Sequence, residues 1–125
     1  MINYVSTKNA PMAIGPYSQG VINNGLLYTS GQIAIDPKTQ KFINGSVEEQ
    51  TEQVIKNLKG ILEECNTSFD KVIKVTIFLT NLDNFDLVNT IYGEYFKSKP
   101  ARSTVEVSAL PKNALIEIEC IATIS

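Results

Sequence analysis

Between Ser46 and Cys65 the apolar residues recur at helical spacing: Val47, Val54, Ile55, Leu58, Ile61, Leu62 and Cys65, with Thr51 on the same stripe. Ser46 and Glu49 fit the capping-box pattern that starts a helix. A helix of this kind is apolar on one face and must lay that face on a sheet. A second stripe follows at Phe85, Val88, Tyr92, Tyr95 and Phe96. Asp83 is its expected cap, and it should end before Pro100. Two one-faced helices cover one face of a sheet and leave the other open.

The remaining segments read as strands. Residues 2–6 give a short first strand. Gly20 to Ile35 reads as a hairpin turning at Asn23-Asn24-Gly25, residues that tolerate positive φ. Ser30-Gly31 interrupts its second arm, and a glycine there marks a bulge or a close approach by another group. Asp36 to Gly45 reads as a polar connection. Lys71 to Leu79 is a strand with Ile73, Val75, Ile77 and Leu79 on its apolar face and Lys74, Thr76 and Phe78 on the other. Leu115 to Ile124 is the last strand. Between them Pro100-Ala101-Arg102-Ser103-Thr104-Val105-Glu106-Val107 places an arginine at a strand entry. Alternation assigns Ser103, Val105 and Val107 to the core and Arg102, Thr104 and Glu106 to the opposite face. An arginine so held is suited to gripping a planar carboxylate in a two-bond fork.

The order is β-β-β-α-β-α-β-β, an α+β domain with two helices packed on one face of a mixed sheet. The open face then carries Lys74, Thr76, Phe78, Thr104, Glu106, Glu117, Glu119 and Ile121. It is too apolar for open solvent and too charged for a core, which predicts contact with copies of the same chain and a site between subunits.

Composition narrows the chemistry. The 125 residues suit one domain, 1–125, and they carry a net charge of -2 with no run of lysine or arginine. This argues against a dedicated nucleic-acid or membrane-surface protein. No apolar stretch is long enough to span a bilayer, and the first residues lack the pattern of a signal peptide. Cys65 and Cys120 stand far apart, outside any metal or redox motif, and read as core residues of a cytoplasmic protein. The chain has no histidine. Catalysis by histidine is therefore absent and a zinc site is not expected. Any reaction must use Arg, Glu, Asp, Tyr, Ser, Thr, Lys or backbone groups.

Three pieces then stand together: Gly15-Pro16-Tyr17-Ser18-Gln19-Gly20; Thr29-Ser30-Gly31-Gln32-Ile33; and the arginine strand with Leu110-Pro111-Lys112 and Ile116-Glu117-Ile118-Glu119. In this order and spacing the chain, from about residue 9 onward, resembles the RidA/YjgF family of reactive-intermediate deaminases. The resemblance implies a chorismate-mutase-like subunit of the bacillus type, a homotrimer and pockets between neighbouring subunits. It implies hydrolysis of enamine/imine intermediates such as 2-aminoacrylate, released by pyridoxal-phosphate enzymes, to 2-keto acids and ammonia, with no cofactor or metal. By the same resemblance Arg102 binds the substrate carboxylate, and Glu117 positions or activates water. Tyr17 walls the pocket, Ser30 and Gly31 line it, and Asn89 lies near it. Thr104 stands where most members have cysteine, which removes any thiol role and leaves a hydroxyl.

Plainer roles stay open at each position. Tyr17 can be edge packing and Ser30 a tie for the loop backbone. Glu106 and Glu119 read as interface or surface acids, with Lys74 as counter-charge to one of them. At the level of function, a trimer that binds or senses small carboxylates such as 2-keto acids would use the same Arg102 fork with no need of Glu117. RNA cleavage, a label some relatives carry, fits poorly with the negative charge and the missing histidine.

Overall fold

The computed structural model describes residues 1–124. The strands are β1 (Asn3–Val5), β2 (Gly20–Asn23), β3 (Leu26–Thr29), β4 (Ile35–Asp36), β5 (Lys41–Phe42), β6 (Val72–Leu79), β7 (Ala101–Glu106) and β8 (Ile116–Thr123). Helix α1 (Val47–Glu64) precedes β6, and α2 (Phe85–Tyr95) joins β6 to β7. Six strands form one sheet in the order β1-β2-β3-β8-β6-β7. The β6–β7 pair is parallel and every other neighbour in this sheet is antiparallel. A parallel pair needs a crossover long enough to return the chain, and α2 supplies it.

The α1 stripe is fulfilled. Val54, Ile55, Leu58 and Ile61 are fully buried, and each such side chain contributes roughly 1.5–3 kcal/mol against leaving it in water. Ser46 Oγ accepts the Glu49 N–H while the Glu49 carboxylate accepts the Ser46 N–H, so the capping box forms as read. The helix packs on Val75, Ile77 and Leu79 of β6 and on Ile116, Ile118, Cys120 and Ala122 of β8. Cys65 and Cys120 are free and buried, as expected. Gly60 lies so close to the N-terminal loop that a Cβ there would come within 2.7 Å of the Asn9 carbonyl carbon. The hairpin turn falls at Asn24 and Gly25, with φ of 52° and 76°.

Several expectations are corrected. The second hairpin arm ends at Thr29, and beyond it a single bridge joins Gln32 to Ile118. The stretch read as a polar connection contains the two-stranded ribbon β4–β5. Asp83 does not cap α2; it sits in a short 3₁₀ turn, Leu82–Asn84, whose start is capped when the Asn81 side chain accepts the Asp83 N–H. Ile73 is 45% exposed and Val72 takes its place in the core, because a register irregularity between Val72 and Lys74 resets the alternation.

The largest correction concerns β7. Its register pairs Arg102 with Val75 and Thr104 with Ile77, which are core residues, and pairs Ser103 with Thr76 and Val105 with Phe78. Arg102 and Thr104 therefore face the helices, while Ser103 and Val105 (41% exposed) face away. The arginine is tolerated there because its guanidinium lies over the Tyr92 ring, as a long charged side chain can when its stem is covered. The open face carries Lys74, Thr76, Phe78, Ser103, Val105, Glu117, Glu119, Ile121 and Tyr28, without Thr104 or Glu106. Lys74 Nζ donates to Ser103 Oγ (3.1 Å), so its partner within the chain is a hydroxyl and not the expected acid.

Candidate active site

The loop from Thr7 to Gln19 is fastened by one buried side chain. Gln19 Oε1 accepts the Thr7 N–H (2.6 Å), and its Nε2 reaches the carbonyls of Thr7 (2.9 Å), Ala10 (3.2 Å) and Pro11 (2.8 Å). Gln19 is only 4% exposed. Nothing in its sequence neighbourhood marks it, apart from being a polar residue between a Gly-Pro turn and a strand. Further along, Gly15 takes φ 124° and the Tyr17 N–H closes on the Gly15 carbonyl (2.9 Å). Ser30 Oγ donates to the Ser18 carbonyl, and the Ser30 N–H donates to the Gln19 carbonyl (2.9 Å). Ser30 thus ties the two pieces of loop together, the plainer of its two expected roles.

Gly31 follows, and the group that approaches it is the Glu117 carboxylate. A Cβ on Gly31 would sit 2.7 Å from the Glu117 carboxyl carbon. The bridge from Gln32 to Ile118 brings the two segments to this distance, through Gln32 N–H to the Ile118 carbonyl (2.9 Å) and the reverse bond (3.1 Å). On the helix side, Asn57 Nδ2 donates to the carbonyls of Ile33 (3.2 Å) and Ile35 (2.9 Å), and Gln50 Oε1 accepts the Leu115 N–H (2.9 Å). Both segments are held from beneath. The Gly31 N–H has no partner among the described residues. Tyr17, Ser30, Gly31 and Glu117 share a cleft of about 610 Å³, walled further by Met12, Ile14, Gln32 and Pro111. Tyr17 is half exposed within it.

Burial pushes the Glu117 carboxyl above the ordinary carboxylate range, and the Glu119 charge two residues along the same face pushes it further. An acid so placed exchanges a proton more readily near neutrality than one in water. Cys120, by contrast, has its thiol pushed up to about 12, chiefly by burial, and is inert.

Arg102 lies elsewhere. Its guanidinium faces α2, 4.8 Å from the Tyr92 ring centre and 5.5 Å from that of Phe85. A second cleft of about 540 Å³ opens beside it, lined by Tyr92, Gly93, Phe96, Lys97, Lys99 and Pro100. Thr104 is on the same sheet face, and its hydroxyl, like that of Tyr92, is buried without a partner among the described residues. Asn89 is half-buried on α2 and lines neither cleft. One chain therefore assembles four of the seven expected residues and keeps Arg102 and Thr104 on the other side of its sheet. Tyr92, the ring beneath Arg102, belongs to the apolar stripe of α2, and nothing in the sequence sets it apart from the core residues there.

The fold and these clefts define a small α+β domain with an acid–glycine pocket on one sheet face and an arginine under aromatic rings at the sheet edge. The chain belongs to the RidA/YjgF family: the family described as Endoribonuclease L-PSP matches residues 7–124. It is 54% identical over 121 residues to AldR of Lactococcus lactis, named as a candidate regulator, with 96% of each chain covered. It is 45% identical over 119 residues to the human 2-iminobutanoate/2-iminopropanoate deaminase, covering 94% of this chain and 87% of that protein. Among solved structures, YyfA of Yersinia pestis, of the conserved Rid protein family, is similar with a TM-score of 0.97 and 54% identity, over 99% of this chain and 100% of that one.

Gly31→Ala should test the cleft directly. The added methyl meets the end of a flexible side chain, so the fold should persist while Glu117 is displaced. We expect an unchanged thermal midpoint and a loss of at least tenfold in the rate of any reaction that passes a proton through Glu117. A variant as active as wild type would show that the Glu117–Gly31 contact is not used.

Proposed function

We propose that this protein hydrolyses enamine and imine intermediates such as 2-aminoacrylate to 2-keto acids and ammonia. The observation that carries this reading is the Glu117 carboxylate, with its raised pKa, packed against the Cα of Gly31 in a cleft walled by Tyr17. The name of the human relative agrees with it.

The chemistry is modest. The enamine takes a proton on its β-carbon and releases one from its nitrogen to give the imine, and water adds to the C=N carbon. Glu117 accepts a proton from that water as the C–O bond forms. That proton is returned to the nitrogen to give the carbinolamine. Glu117 then moves the hydroxyl proton to the same nitrogen, and as the C–N bond breaks the C=O bond forms and ammonia and the keto acid leave. Arg102 would hold the substrate carboxylate by two parallel N–H···O bonds. The Gly31 N–H would donate to an oxygen of the substrate. Orientation and proton transfer of this sort supply roughly 10²–10⁴-fold or more. No step calls on a metal or a cofactor. The hydroxyl of Thr104 could hold a water near Arg102, where cysteine stands in most members.

Arg102 and Glu117 face opposite sides of one sheet, so the site is proposed to form between subunits of a homotrimer. The half-exposed open face, with Phe78, Val105, Ile121 and Tyr28 among its charged residues, supports self-association. Two free buried cysteines agree with a cytoplasmic location, and no helix among the described residues is long and apolar enough to cross a membrane. RNA as substrate has little support from a chain of net charge -2 without histidine, whatever the family's descriptive name. A carboxylate-binding regulator is the second reading, favoured by the name of the Lactococcus lactis relative. It predicts that Glu117→Gln keeps ligand affinity and has no activity to remove.

The deciding assay generates the imine in situ with a serine or threonine dehydratase and follows keto-acid appearance. Wild type should accelerate it and Arg102→Ala should not; no acceleration by a folded oligomer with any amino-acid precursor would overturn the enzyme reading. The pH profile gives a second check. Glu117 works as the carboxylate, so the rate should fall on the acid side through its raised pKa. Glu119→Gln removes a like charge and should move that acid limb to lower pH. An unmoved limb would mean that another group titrates.

A further inference from the structure

Arg102 is the only arginine in the chain, and aromatic rings hold it. Phe85 and Tyr92 are seven residues apart on α2, two turns along one face, and the guanidinium carbon lies 5.5 Å and 4.8 Å from their ring centres. Tyr92 cannot swing away, because it is stacked on Phe96 at 4.3 Å with 13° between the planes. Phe96 in turn meets Phe69 edge-on at 4.9 Å. Tyr92 and Phe96 are buried, 7% and 2% exposed, while Phe85 is 36% exposed at the rim.

We infer that Tyr92 and Phe85 are positioning residues, which orient the Arg102 guanidinium for a carboxylate ligand. The inference rests on the proposed role of Arg102. A ring attracts the face of the guanidinium, whereas a carboxylate takes the N–H edge. The rings therefore hold the group and leave its donors and its charge free. An acid in their place would consume both. An arginine with its rotamers already restricted also loses less freedom when the ligand binds. The neighbouring cleft gives an anion access to it between Lys97, Lys99 and Pro100.

A single arginine gives a single side-chain Nε–Hε signal in NMR, and this signal reads the clamp without any ligand. In wild type it should be ordered and shifted by the ring currents. Tyr92→Phe should preserve both properties, and Phe85→Leu should lose part of each. Tyr92→Leu should lose more, but it also breaks the stack on Phe96; the rim variant Phe85→Leu keeps the test usable if that protein does not fold. Calorimetric titration with 2-oxobutanoate, a carboxylate with no imine, reads the consequence. Phe85→Leu should bind it roughly threefold to tenfold more weakly, and Tyr92→Phe should bind as wild type does. An Nε–Hε signal as ordered in Phe85→Leu as in wild type would overturn the inference. So would unchanged keto-acid affinity in a Phe85→Leu protein whose arginine has become mobile. If wild type and Arg102→Ala bind the keto acid equally, the carboxylate role of Arg102 has failed and positioning for that ligand fails with it. An Nε–Hε signal still sensitive to Phe85 and Tyr92 would mark that failure as the role's and not the clamp's.

Discussion

Strand parity at the centre of the sheet governs what this chain can do alone. On β6, Val75 pairs with Arg102 of β7 and Phe78 pairs with Glu117 of β8. An odd separation along a strand puts two residues on opposite faces. The arginine is thereby turned to the helices and the glutamate to the open face. No side-chain rotation within one subunit reverses that, because a one-residue slip of β7 would also expose Thr104 and bury Val105 against the helices. Arg102, the proposed grip for the substrate, and Glu117, the proposed acid, are each placed locally, and the proposed site would bring them together where one subunit's sheet edge reaches another's open face.

The acid cleft depends on buried amides more than on apolar contact. Gln19 fixes the N-terminal loop, and Asn57 and Gln50 of α1 hold the segments that lead to Gly31 and Glu117. All three are at most 4% exposed. A satisfied hydrogen bond contributes only about 1 kcal/mol net, but leaving its buried partner unpaired costs about 1–3 kcal/mol. Loops held in this way resist displacement without an ion pair, and Glu117 is left as the charged group facing Gly31. On the other side of the sheet, aromatic stacking gives Arg102 the same kind of fixed placement.

Much of this was legible in the sequence. The α1 stripe and its capping box, the Asn24-Gly25 turn and the interruption at Gly31 all rest on local rules, and all four are found. The motifs carrying the family resemblance were also local. The faces of β7 were not legible. Val105 and Val107 make the better-looking core set, and only the register against β6 shows that Arg102 and Thr104 take the core side under a roof of rings. Ile73 breaks the expected alternation because of an irregularity in pairing, which leaves no composition signal. Asp83 is not the cap of α2 because a 3₁₀ turn precedes that helix. Gln19 was invisible for a different reason: its partners lie 8 to 12 residues away on a loop whose path only the fold defines.

The most direct test of a site shared between subunits is complementation. Arg102→Ala and Glu117→Gln proteins, each inactive alone in the imine assay, would be unfolded together, refolded at equal concentration and assayed as a mixture. Random assortment into closed rings leaves about a quarter of the sites with both native residues, so about a quarter of wild-type activity should return. A mixture as inactive as its parents, from proteins shown to have formed mixed oligomers, would contradict the account: the arginine and the glutamate would not then work across one interface.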